Sequence, residues 1–453
     1  MPRPGARVSR IAGACLAVLL LWPAAAAAAS RPARSPEPIP AAAPGDPSAI
    51  ELRVLLGQLL GEHAFLLLET LRATTLNEGD RVVLREALDD NSAQLSGAVG
   101  AVYGEDAASG FSKLWDLHID LLVDYAEARR TGDAAAAEAA RDGLDRYTQD
   151  FASFLATANP SLDAADEAAA LRLHVEQVTT FADADYAGAY EAQREAFGHM
   201  FALGDHLALG IARQFPDRFA GAAVAFSPRS DLRLALDRLL AEHLVLAAEA
   251  MKAGVRQAAD FDASATALGS NTDDLSAAVG GVYGSEAGAA FKEVWGAHVE
   301  AYLSFVQALG AGDESARASS LEQLHAYHDQ LADFLATANP HLRHDDVADL
   351  IRLHVQALIS QAEATAAGDD ARAVATTREG YAGTFRVGAA LAEAIAKQFP
   401  DRYRDLKELP PTSTLPAPSA QHDPRLLLAL AMAVAAVMVA AWSLAAEARP
   451  RRS

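Results

Sequence analysis

LRVLLGQLLGEHAFLLLETLRA, residues 52–73, is apolar at helical spacing: Leu52, Leu56, Leu59, Leu60 and Leu66 fall on one stripe, and His63 sits within it. Nothing in the stretch alternates with period two, so it predicts a helix. The chain repeats it 180 residues later, as LRLALDRLLAEHLVLAAEAMKA at 232–253, with His243 in the same place. A long-range repeat of this kind constrains the architecture before any single element is assigned.

The repetition continues outward. AVGAVYG (98–104) matches AVGGVYG (278–284), DFASFLATANP (150–160) matches QLADFLATANP (330–340), and LRLHV (171–175) matches IRLHV (351–355). The offset grows to 184 where RQFPDRF (213–219) matches KQFPDRY (397–403), so the second copy holds four extra residues between its last two helices. Each copy reads as six helices, expected in the first at about 48–73, 80–103, 106–131, 133–157, 162–183 and 186–214. Gly104, the Thr131-Gly132-Asp133 turn, Asn159-Pro160 and Pro216 mark the stops. The fold expected is all-α: two tandem, duplicated, antiparallel helical-bundle domains at 48–219 and 228–404, joined by a linker at 220–227.

The termini carry different signals. Residues 1–30 read as a signal peptide, with Arg3, Arg7 and Arg10 ahead of an apolar run and a cleavage site near Ala29; a linker follows at 31–47. Cys15 is the only cysteine and lies inside that signal, so the exported protein is expected to have no disulfide and no thiolate chemistry. A Pro-rich stalk is expected at 405–424, a transmembrane helix at 425–446 and a cytoplasmic tail at 447–453 carrying Arg449, Arg451 and Arg452. LPPTS at 409–413 loosely resembles a cell-wall sorting signal, although its glycine is missing and its gap to the apolar run is long. The localisation expected is a single-pass cell-membrane protein with an extracytoplasmic ectodomain. Its 453 residues carry a formal charge of −22, which repels nucleic acid and anionic headgroups. The partners expected are the membrane, through the C-terminal helix, and an envelope protein.

His63, His118 and His174 lie near the middle of the first, third and fifth helices of the first copy, and His243, His298 and His354 are their twins. Mid-helix positions in an antiparallel bundle share one depth, because two residues of error shift a group by only about 3 Å. Three inward imidazoles can therefore converge in each copy. His199, on the sixth helix, is expected to add a fourth ligand in the first copy; its counterpart is Gly383, which leaves the second copy with three ligands and an open position. Imidazole-only sets suit copper, zinc or nickel and exclude calcium and magnesium, while two opposed histidines would suit haem b. A di-iron carboxylate site needs paired E-x-x-H helices, and the one such motif, Glu322–His325, has no counterpart in the first copy. The bland alternative is a core network in which Asn91/Asn271 and Tyr103/Tyr283 satisfy the histidines, which would then titrate near pH 6. Glu62/Glu242 and Glu69/Glu249 face away from the histidines and read as solvated or ion-paired rather than as ligands, and Trp115/Trp295 read as core, with a haem-facing aromatic as the alternative.

The motifs L-x-x-L-L-x-E-H, Y-G-x-x-A, Leu114-Trp115 or Val294-Trp295 with a following histidine, F-L-A-T-A-N-P and L-x-x-H-V resemble those of a group of exported bacterial helical-repeat proteins, some labelled copper amine oxidase N-terminal-like. The resemblance spans about 50–403 and implies export and a helical repeat; it brings no activity, and no amine oxidase catalytic domain is present in the sequence. The function expected is binding of a transition metal (copper or zinc) or haem for storage, sensing or delivery. A cofactor-free scaffold or protein-binding module is the second expectation, and a metalloenzyme using the second copy's open position the third.

Overall fold

The computed structural model describes residues 48–219 and 221–406. The expected signal peptide, the linker at 31–47, all of the stalk past residue 406, the transmembrane helix and the tail lie outside the described residues. Thirteen helices and no strand occur among the described residues. They are α1 (Ala49–Leu76), α2 (Arg81–Tyr103), α3 (Glu105–Thr131), α4 (Ala134–Ala158), α5 (Ala164–Asp183), α6 (Tyr186–Gln214), the short α7 (Ala222–Ala225), α8 (Pro228–Arg256), α9 (Phe261–Tyr283), α10 (Ser285–Ala311), α11 (Glu314–Ala338), α12 (His344–Ala366) and α13 (Asp370–Gln398).

Local chemistry sets the helix ends. Ser48 and Glu51 form a capping box at the start of α1, and Asn77, left-handed with φ 54°, closes it. Gly104, at φ 91°, is the whole turn between α2 and α3. Asp133, Asp163 and Asp185 accept backbone N–H groups at the starts of α4, α5 and α6. The repeated A-N-P acts as a clasp. Asn159 Nδ2 donates to the Tyr103 hydroxyl at 3.2 Å, and that hydroxyl donates to Gln214 at 2.9 Å, so the ends of α2, α4 and α6 meet. Asn339, Tyr283 and Gln398 repeat the clasp at 3.0 Å and 3.0 Å. Tyr103 and Tyr283 therefore serve helix ends and are not the partners of the histidines.

Within each half every helix packs on the next, and the sixth returns to the first: α6 on α1, and α13 on α8. Helices α1 and α8 are thereby enclosed. Among the described residues α1 alone is long and apolar enough to cross a membrane, but 83% of its most apolar window is buried, which makes it the central helix of the bundle. One apolar cluster runs through both halves and includes Phe201 and Phe385, stacked at 6.2 Å across the boundary. The expected linker at 220–227 is folded in: α7 and Phe226 bury against Ala49, Leu52, Leu56 and Phe219. The four extra residues lengthen α12 and its following turn.

The α1–α6 crossing is close because Gly204 faces Gly57. A Cβ on Gly204 would stand 3.0 Å from the Gly57 nitrogen and 3.0 Å from the Leu56 carbonyl carbon, which are backbone atoms that cannot swing aside. Gly204→Ala is expected to lower stability by about 1–2 kcal/mol, because overpacking of about 1–3 kcal/mol outweighs the gain of up to ~1 kcal/mol in helix propensity. Gly97→Ala, where nothing lies within 4 Å, is expected to raise stability by roughly 0.5–1 kcal/mol. Urea denaturation of both variants tests the pair; equal shifts would show that the crossing is not tight.

Candidate metal centre

The odd-numbered helices of the first half, α1, α3 and α5, touch one another at the centre of the bundle, and each carries one histidine near its midpoint. The three rings meet. His63 Nε2 and His118 Nε2 are 3.3 Å apart. One nitrogen from each of His63, His118 and His174 lies within 4.8 Å of the others, and the same holds for His243, His298 and His354. Metal–nitrogen bonds of about 2.0–2.1 Å place two coordinating nitrogens roughly 3.3–3.6 Å apart. The His63–His118 pair already has that spacing, and His174 brings a nitrogen within 4.8 Å of both.

Aromatic rings wall each cluster. Trp115 lies 4.5 Å from His63 and 4.7 Å from His118, and Tyr147 stacks on His118 at 4.9 Å. In the second half Trp295 lies 4.8 Å from His243 and Tyr327 stacks on His298 at 4.4 Å. The Tyr147/Tyr327 match was available in the repeat but carries no signal of its own until the helices are packed. A porphyrin needs a flat slot between two opposed imidazoles. These rings, with centroids 5.2 Å to 6.4 Å apart and aromatics packed directly on them, leave no such slot, so the haem b expectation does not fit.

The hydrogen bonding is incomplete. Both ring nitrogens of His174 are buried with no partner among the described residues, as are Nδ1 of His63, His118 and His243 and Nε2 of His354. The Trp115 carbonyl lies close to His118 but outside hydrogen-bond geometry, whereas His298 Nδ1 donates to the Trp295 carbonyl. Buried polar groups are normally paired, so two clusters of orphaned imidazole nitrogens are an unusual feature of this core.

His199 stands beside His174, with centroids 6.5 Å apart, but its Nε2 bonds the Ala170 carbonyl at 3.0 Å and it is outside the converging set. Shared depth placed it correctly, yet its ring turns to a backbone acceptor. Both halves therefore offer three imidazoles, and the expected four-and-three asymmetry is absent. Glu62 and Glu242 are ion-paired with Arg378 and Arg194, and Glu69 with Lys252. His206 pairs with the buried Glu167 at 2.7 Å, which the sequence did not disclose.

Burial drives the imidazoles neutral. Desolvation lowers His63, His174 and His243 far below the ordinary histidine range, and takes His118 and His298 down to about 3 and His354 to about 4. Titration near pH 6 is thus replaced by rings that keep their lone pairs free for a metal well into acid. Unfolded histidines take up protons below about pH 6.5 while the folded ones do not, so the metal-free protein loses stability as pH falls from about 6.5 toward 4, at up to ~1.4 kcal/mol per pH unit for each histidine. Asp237, raised to about 7 by burial, has the opposite slope, so the comparison is made by difference. Replacing His118 with Leu is expected to flatten the stability–pH curve by about 1.4 kcal/mol per pH unit over pH 4–6; parallel curves would mean that His118 is not held neutral.

No protein-family model, no curated protein and no solved structure matches this chain.

Proposed function

We propose that the chain is a membrane-anchored, extracytoplasmic protein of two duplicated antiparallel helical bundles, each binding one transition-metal ion, copper or zinc, through its three central histidines. The observation that carries this reading is the convergence of two histidine triads whose nitrogens are buried, neutral and in several cases without a partner. Export and anchoring rest on the sequence signals at 1–30 and 425–446 and on the resemblance to exported helical-repeat proteins.

Charge narrows the choice of metal. Each cluster consists of histidines alone, so the whole charge of the ion stays in an apolar core. The Born cost rises with the square of charge, so a monovalent ion incurs about a quarter of the cost of a divalent one. Copper(I) accepts three ligands, whereas zinc adds a fourth, such as water. The geometry therefore favours copper(I), with zinc second. Storage, sensing or delivery fits better than turnover, because no carboxylate belongs to either cluster to act as acid or base.

A cofactor-free scaffold that docks an envelope protein through its acidic faces is the alternative, and the core-like bond of His298 to the Trp295 carbonyl favours it. Metal analysis of the full chain, purified in detergent from a host supplied with copper, zinc and iron, separates the two. The expected result is close to two copper or zinc ions per chain. One ion should remain in H63A/H118A/H174A and one in H243A/H298A/H354A, with X-ray absorption showing only nitrogen or oxygen neighbours near ~2.0 Å. A metal-free protein of unchanged stability would overturn the metal reading in favour of the scaffold.

A further inference from the structure

The glutamate before each central histidine is answered from the other half of the molecule. Arg378, on α13, donates from Nε to Glu62 on α1 at 2.9 Å. Arg194, on α6, donates from Nε to Glu242 on α8 at 2.9 Å. The arginines are themselves a repeated pair, at the 184 offset of the sixth helices. The second oxygen of each glutamate takes an asparagine amide: Asn91 Nδ2 to Glu62 at 3.0 Å, and Asn271 Nδ2 to Glu242 at 3.0 Å. The same Nδ2 groups also donate to the carbonyls of Leu59 at 3.0 Å and Leu239 at 3.1 Å. With both amide hydrogens committed, each asparagine is locked in one orientation and its Oδ1 is the remaining free atom. Both Oδ1 atoms are buried and unpartnered.

The first histidine of each cluster carries a matching orphan at Nδ1. His63 presents Nε2 to the cluster; with that nitrogen on a metal its proton would sit on Nδ1, which is buried and unpartnered. In the second half Asn271 Oδ1 and His243 Nδ1 are likewise both buried and unpartnered. A histidine that binds metal through one nitrogen characteristically donates the other N–H to a fixed acceptor, which sets its tautomer and ring orientation.

We infer that Arg378 and Arg194 are positioning residues for the metal centre of the opposite half, each fixing a histidine through glutamate and asparagine: Arg378–Glu62–Asn91–His63 and Arg194–Glu242–Asn271–His243. The inference rests on the metal reading above and adds that neither half completes its own centre. The two relays differ in one respect. Glu242 has a second arginine from its own half, Arg238, at 3.7 Å, whereas the corresponding position in the first half is Gln58. The first centre therefore depends more on its borrowed arginine than the second does.

The test measures each centre separately, in full-length protein in which the other triad has been replaced by alanine, by competition titration with copper(I) and with zinc. R378M is expected to weaken the first centre by about 10–100-fold, the range for loss of outer-shell support, and to leave the second within about two-fold. R194M is expected to do the reverse with a smaller loss. N91L, which cuts the relay without stranding a charge, should reproduce R378M and covers the case in which R378M fails to fold. Equal weakening of both centres, or weakening confined to the half that carries the mutation, would overturn the inference and leave the arginines as structural ion pairs. Imidazole 15N spectra of the metal-free chain supply a readout that does not need metal. There the tautomer balance of His63 should move in R378M while that of His243 stays. A wild type that binds neither copper nor zinc defeats the metal reading, whereas an unmoved His63 defeats the relay.

Discussion

The burial of the central stretches of α1 and α8 on all sides is the constraint from which the rest of this structure follows. A surrounded helix has no polar face on which a charged or ligating side chain can be left to water. Arg53, Glu62, His63 and Glu69 are all buried along α1, so each must be answered by a neighbouring helix. Arg53 is met by Asp205 and Asp231, Glu62 by Arg378 and Asn91, and Glu69 by Lys252. His63 packs against the rings of His118, His174 and Trp115, none of which satisfies its Nδ1.

The answering groups determine how the halves mate. Arg72 of α1 reaches Asp260 at 2.6 Å, and Lys252 of α8 reaches Asp80 at 2.9 Å, the same crossing made in both directions. Buried ion pairs add little net stability, but breaking one leaves an uncompensated charge that costs several kcal/mol. The apolar contacts, such as Phe201 on Phe385 and Phe197 near Tyr381, supply the adhesion. The crossed charges make other registers expensive. A pair of bundles that could in principle be beads on a string is in this way held to a single arrangement.

Much of this was legible in the sequence, for identifiable reasons. Helix limits followed from apolar periodicity and from Gly104, Gly132 and Asn159, because those signals are local, and the observed helices begin and end within about three residues of the expected ones. The triads were legible because stretches matched at an offset of 180 mark His63, His118 and His174 twice and because depth is preserved along a helix. His199 was misassigned to the centre because depth says nothing about which acceptor a ring will choose. The Arg378–Glu62 pair spans 316 residues and could not be read, since only the packing of α13 against α1 and α2 brings them together. The neutrality of the imidazoles was hidden for a related reason: desolvation is a property of the closed core, and no spacing along the chain encodes it.

The halves agree at the central histidines and diverge around them. The first half places the Glu167–His206 pair and His199 on α5 and α6, where the second has Val347, Ala390 and Gly383. The second half places Tyr302 on α10, with its hydroxyl buried and unpartnered, where the first has Leu122. A metal's affinity and potential depend on the polarity and hydrogen bonding beyond its ligands as much as on the ligands. Two histidine clusters built from identical imidazoles but set in unlike surroundings, one with borrowed support alone and the other with a second arginine at hand, would therefore not be copies in energy as metal centres. On the proposed metal reading, repetition of this kind would keep the chemistry of the site and free its tuning, and two centres of unlike affinity would let the chain take up an ion at one while it retains an ion at the other.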